Sequence, residues 1–123
     1  MPTPGRRRSE RGAVTAELVV ALPVLLAVTL ALVWMIGLGL GQVRVVDGAR
    51  EGARALARGD DPVTARSLAT EVAGAGATVR IGQDGGRVVV TVERTVTGPG
   101  GLLGHLAGVR LHATAVTAPE QPP

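Results

Sequence analysis

Few side chains in this chain could carry chemistry. Enzymatic sites need a nucleophile, a base and an orienting group converging on one point. Here serine occurs only as Ser9 and Ser67, histidine only as His105 and His112, and cysteine not at all. His112 alternates with Arg110 and Thr114 in a strand-like run, which places it on a solvent face, not in a catalytic cluster. Asp60 and Asp61 could touch a cation, but an aspartate pair directly before Pro62 fits a helix cap better. Gly98-Pro99-Gly100-Gly101 lacks the following lysine and the strand-to-helix setting of a phosphate loop. Without thiols there is no disulfide and no thiolate metal site. The chain is therefore expected to be non-enzymatic, with no catalytic residue, cofactor, metal or small-molecule substrate.

Glu17 is the exception, because of where it sits. Leu18 to Val43 contains no charged side chain, and Glu17 stands at the front edge of that run. A carboxylate at the centre of a membrane helix costs roughly 2.5 to 3.5 kcal/mol on insertion scales, and less near the interface. If the chain is cut between Gly12 and Ala13, the new Ala13 amine is a cation and Glu17 is the fifth residue after the cut. In a bundle of such helices, one subunit's Glu17 could then neutralise its neighbour's amine. Two unit charges about 4 Å apart attract by roughly 4 kcal/mol at an effective dielectric near 20, enough to offset partial desolvation and set axial register.

The element that must position Glu17 is a membrane helix. About 20 consecutive apolar residues cross the hydrocarbon core, and Leu, Val, Ala and Ile supply nearly all of Leu18 to Val43. The run is longer than the roughly 7 to 15 apolar residues of a cleaved secretory signal. Pro23 removes one backbone hydrogen bond, a change that membrane helices tolerate. Gly37 and Gly41 share a spacing that lets another helix approach closely. The arginines are balanced across the span: Arg6, Arg7, Arg8 and Arg11 precede it, and Arg44, Arg50, Arg54 and Arg58 follow. The denser Arg6 to Arg8 block favours a cytoplasmic amino terminus and an extracytoplasmic carboxy-terminal part.

The chain has 123 residues, a formal net charge of +3 and no lysine. Beyond the short amino-terminal cluster its basic residues are spread among acids, and they lack interleaved aromatics, so nucleic acid is not an expected partner. After the helix and its extension only about 60 residues remain, a size that buries a modest core. Aromatic residues make up 1% of the chain, with Trp34 alone, so lateral partners would relieve a weak core.

The pattern along the chain divides it into a basic, disordered leader (1–12), a transmembrane helix with its extension (13–59), a small α+β head (60–118) and a disordered tail (119–123). Val46, Ala49, Ala53 and Leu56 recur at helical spacing opposite Arg50, Glu51, Arg54 and Arg58, so the helix is expected to continue past the membrane. Ala13 to Arg58 would measure on the order of 65 to 70 Å if unbroken. Gly59-Asp60-Asp61-Pro62 ends that helix and starts a second, with Ala65, Leu68, Ala69 and Val72 inward and Gly74-Ala75-Gly76 as its stop. Thr78 to Ile81 alternates as a strand, Asp84-Gly85-Gly86 offers a hairpin turn, and Arg87 to Val96 returns with Val88, Val90 and Val92 on one face. Leu102, Leu103 and Leu106 form a helical turn within a glycine-rich connection. Val109, Leu111, Ala113 and Ala115 mark a third strand. The expected fold is α+β: a long amino-terminal transmembrane helix with an extracytoplasmic extension, a short second helix, and a three-stranded antiparallel sheet that needs a helix to cover it.

A basic leader ending in Gly12, followed by Ala13-Val-Thr-Ala-Glu17-Leu and an apolar helix with Ala21-Leu-Pro23, resembles the amino terminus of TadE-like pilus assembly proteins, relatives of type IV pilins. Val46-Asp-Gly-Ala-Arg50-Glu-Gly-Ala-Arg54-Ala-Leu-Ala-Arg58-Gly is similar to the helix that follows the anchor in that family, and Val109-Arg-Leu-His-Ala-Thr-Ala115 to a segment near its end. Ala13 stands where many type IV pilins carry an aromatic, and Pro23 lies earlier than their usual proline. The resemblance implies a minor pilin or pseudopilin of a tight-adherence secretion and pilus system, cut by a prepilin peptidase after Gly12, with Gly12 and Ala13 as processing residues and Glu17 as the assembly residue. It implies partners among pilin or pseudopilin subunits, the pilus assembly machinery and membrane lipid. The alternative is a bitopic binding module on an uncleaved anchor, whose head recognises a cell-wall or secreted ligand.

Overall fold

The structure, a computed structural model, describes residues 4–98 and 108–118. The expected turn at Leu102 to Leu106 and the tail 119–123 lie outside the described residues. The observed elements are α1 (Pro4–Ala57), α2 (Pro62–Ala73), β1 (Thr78–Asp84), β2 (Arg87–Val96) and β3 (Val109–Thr117). They give the expected α+β fold: a long apolar amino-terminal helix, a short second helix and a three-stranded antiparallel sheet. The chain divides into two compact units, Met1–Met35 and Ile36–Pro123.

The described part of the first unit is all α1. The helix begins at Pro4, so residues 4–12, expected to be disordered, are helical instead. Proline suits a first helical position because its missing N–H has no partner to lose there. Arg7, Arg8, Glu10 and Arg11 are good helix formers, and once an apolar helix has nucleated, adding turns is far cheaper than starting them. From Val14 onward the side chains face outward: Leu25 is 63% exposed and Val20 69%. Two hydroxyls within this surface are satisfied by the helix itself. The Thr29 hydroxyl donates to the Leu25 carbonyl at 2.8 Å, and Thr15 donates to the Arg11 carbonyl at 2.9 Å, the back-bonding that removes a hydroxyl from apolar surroundings.

In the second unit the sheet has the order β1-β2-β3, both pairs antiparallel. Asp84 pairs with Arg87 across a two-residue turn in which Gly85 (φ 57°) and Gly86 (φ 79°) are both left-handed. That is the turn whose twist matches a hairpin, and it requires positive φ at both positions. On the inward face Val79 of β1, Val90 and Val92 of β2, and Leu111 of β3 are buried, as their alternation requires.

Asp61 caps α2: its carboxylate accepts from the Thr64 hydroxyl at 2.6 Å and from the Thr64 N–H at 3.3 Å. Pro62 opens the helix and Gly74, at φ 95°, closes it. The inner face of α2 differs from expectation. Ala65, Ala69 and Ala73 are fully buried, whereas Val72 is 38% exposed and Leu68 is half-buried. A row at every fourth residue, all alanine, lets α2 lie closer than leucine and valine would permit.

The outer turns of α1 show why that closeness matters. Gly48 and Gly52 are buried beside Val45, Ala49 and Ala53. A Cβ on Gly48 would stand 2.8 Å from the Ala69 carbonyl oxygen and 2.9 Å from the Ala73 Cβ; one on Gly52 would stand 3.1 Å from both Ala69 Cβ and Val90 Cγ1. Backbone therefore meets backbone along this seam, the geometry that small residues spaced by four allow. The buried stripe is rotated from the expected one: Val45 is fully buried, and Val46 and Leu56 only partly. Among the described residues the largest fully buried side chains are Val45, Val90 and Val92. Two further bonds tie the unit together. The Arg94 Nη1 donates to the Ala73 carbonyl at the end of α2 (3.4 Å), and the Gln42 Nε2 donates to the His112 carbonyl on β3 (3.1 Å).

Candidate functional site in the amino-terminal helix

The three residues singled out by the sequence, Gly12, Ala13 and Glu17, all lie within α1 and are all exposed. Glu17 follows Ala13 by four residues, so the two share one helix face a turn apart. The Gly12–Ala13 peptide is an ordinary helical one. A Cβ at Gly12 would meet nothing within 4 Å, so no packing within the described residues demands glycine there. What glycine does contribute is a weak point, since it costs a helix about 1 kcal/mol relative to alanine. A protease that needs an extended substrate opens the helix most easily at such a residue.

Among the described residues Glu17 has no hydrogen-bond or ion-pair partner. Around it the surface is apolar: Val14, Leu18 and Val20 are each more than half exposed. A lone carboxylate at the front of an unsatisfied apolar surface can pair with a cation that arrives with a neighbour, and the surface itself suits lipid or another apolar helix. α1 is long and apolar enough to cross a membrane, consistent with a single-pass membrane protein. Trp34 closes the first unit, half-buried, its Nε1 enclosed and without a hydrogen-bond partner among the described residues.

The residues weighed for other chemistry are dispersed. Ser67 is exposed on α2, and His112 is exposed on β3 opposite Glu93. Asp60 pairs with Arg58 at 3.2 Å, and Asp61 is occupied as the α2 cap. No group of three His, Asp or Glu side chains gathers among the described residues. His105 lies outside them, and so does Pro99 to Gly101 of the glycine-rich stretch.

The residues that sequence reasoning missed are Gly48, Gly52, Ala73 and Arg94, which join helix to helix and helix to sheet. Their signal was the small-residue spacing Gly48-Gly52 against Ala65-Ala69-Ala73, visible as a pattern but readable as mere helix propensity.

No curated protein and no solved structure matches the chain. The family model described as TadE-like protein matches residues 12–54, a segment that opens on the expected processing residue and closes in the outer turns of α1. Over that segment the chain is similar to TadE-like proteins, the family its anchor resembles.

Proposed function

We propose that the chain is a minor-pilin-like subunit acting in the assembly of tight-adherence type IV pili. α1 holds it in the membrane with its amino terminus in the cytoplasm and its head (60–118) outside, and packs laterally against other pilin or pseudopilin subunits. A prepilin peptidase removes residues 1–12, and Glu17 then neutralises the freed Ala13 amine of an adjacent subunit, fixing axial register. The observation that carries this function is the conjunction in α1 of an exposed apolar surface with a carboxylate at its front edge, Glu17, which is unpartnered among the described residues and lies five residues after the start of the family match. The small α+β unit supplies contacts to other subunits and no catalysis.

Mass spectrometry of the membrane-extracted protein tests the processing step. The expected product begins at Ala13; an intact Met1 or a cut elsewhere refutes it. Glu17→Ala tests the assembly step: membrane insertion should persist while incorporation with pilus components falls. Unchanged incorporation would remove the register role.

A further inference from the structure

Opposite its buried face of Val45, Gly48, Ala49, Gly52 and Ala53, α1 carries a second stripe made only of charges: Arg44, Asp47, Glu51, Arg54 and Arg58. The spacing alternates three and four, so all five share one face. Four are exposed and Glu51 is half-buried. Within the chain Glu51 pairs with Arg54 at 3.2 Å and Arg58 at 3.7 Å, and Arg58 also with Asp60. Arg44 and Asp47 have no ion-pair partner among the described residues. Along the helix the signs run plus, minus, minus, plus, plus.

We infer that this stripe docks a second copy of the same chain, lying parallel and displaced along the axis by seven residues. The displacement amounts to about 10.5 Å. In that register Arg44 faces the neighbour's Glu51, Asp47 its Arg54, and Glu51 its Arg58, so all three facing pairs are of opposite sign. With no displacement each charge faces its own kind. A four-residue displacement sets Asp47 against Glu51 and Arg54 against Arg58, both repulsive. Three residues also match signs, but they turn the facing stripe by about 60°, whereas seven turn it by only about 20°. Exposed ion pairs within one chain are weak, so exchanging them for pairs between chains is cheap.

The parallel arrangement rests on the membrane anchoring proposed above, because copies inserted in one direction cannot lie antiparallel. Because both copies present the same stripe, this contact joins two chains side by side and leaves the other faces of α1 free for further neighbours. The Glu17 contact corresponds to a displacement near four residues, so its amine comes from a different neighbour, a further copy or another pilin.

The chain has no native cysteine, so site-directed disulfides report register directly. Two tagged full-length forms, each with one cysteine, are co-expressed and oxidised in isolated membranes. The pairs 47 with 54 (Asp47→Cys, Arg54→Cys) and 44 with 51 (Arg44→Cys, Glu51→Cys) should cross-link about tenfold more than 47 with 47, 47 with 51, or 44 with 47. Dominance of any of those three controls, or equal yields throughout, overturns the proposal. Charge reversal provides the second arm: Asp47→Arg in every copy should lower the 44-to-51 yield about fivefold, and Asp47→Arg with Arg54→Asp should restore it. Failure of the double variant to recover also overturns it. Alkaline extraction of the same membranes distinguishes the two ideas: chain retained in the pellet without the expected cross-links refutes the register alone, and chain released to the supernatant refutes the anchoring beneath it.

Discussion

The two units are built from the same small apolar alphabet and use it in opposite ways. In the first, Leu22 and Val24 are 59% and 58% exposed, and the Thr29 hydroxyl is satisfied by the helix's own Leu25 carbonyl. In the second, Val90, Ala69 and Ala73 are fully buried, and glycine serves to bring backbones together. Apolar content alone does not define a core. What separates the two is patterning: a helix apolar all round finds no interior in its own chain, while one with an apolar stripe and a charged stripe finds a sheet to cover.

Substitutions that add or remove volume should break this contrast most sharply. Gly48→Val drives new methyl groups into the Ala69 carbonyl and Ala73, and should destabilise the second unit by about 3 kcal/mol, read by chemical unfolding in detergent. Leu22→Ala in the first unit, where the side chain is 59% exposed, should shift that transition by less than about 0.5 kcal/mol. Equal effects at both sites would erase the distinction. Val90→Ala empties a fully buried position and should cost about 2 kcal/mol. Arg94→Ala removes a part-buried donor to the Ala73 carbonyl and should cost about 1 kcal/mol, with faster amide exchange in the last turn of α2 as its signature.

The smallest effect concerns acid. Asp61 titrates below the ordinary 3.8 because the Thr64 hydroxyl, and next the Thr64 N–H, bond its carboxylate. A depressed folded-state pKa means that the cap's contribution is complete above the unfolded value near 3.9 and disappears as the pH falls through the lower folded one. Protection from hydrogen exchange in the first turn of α2, taken relative to the intrinsic amide rate at each pH, should fall over that acidic window in the native chain. Asp61→Ala should be less protected throughout and show no such fall.

Much of the second unit was legible in its residues. Asp84-Gly85-Gly86-Arg87 specifies its turn chemically, Asp61-Pro62 and Gly74 bound α2 by capping and positive φ, and valine alternation assigns the sheet faces. These are local signals with one physical solution each. The α1–α2 seam was not legible, because glycine and alanine at every fourth residue become a contact only once a partner helix is known to lie there. Val72 against Ala73, and Val46 against Val45, were misassigned for the same reason: hydrophobicity ranks side chains by size, and a close backbone approach selects against size. The helical start at Pro4 was missed because charge and proline suggested disorder, although propagation from the anchor carries the helix through. At Glu17 the sequence pointed to a carboxylate that the structure leaves exposed and, among the described residues, unpartnered.

The glycine seam also has a mechanical consequence. At Gly48 the meeting surfaces are peptide groups and a methyl, with no long side chain to reorient under tension. A pull along the outer turns of α1 would thus reach α2 and the sheet with little slack, and yielding would require shear of the whole contact at once. A seam of this kind passes force along instead of absorbing it.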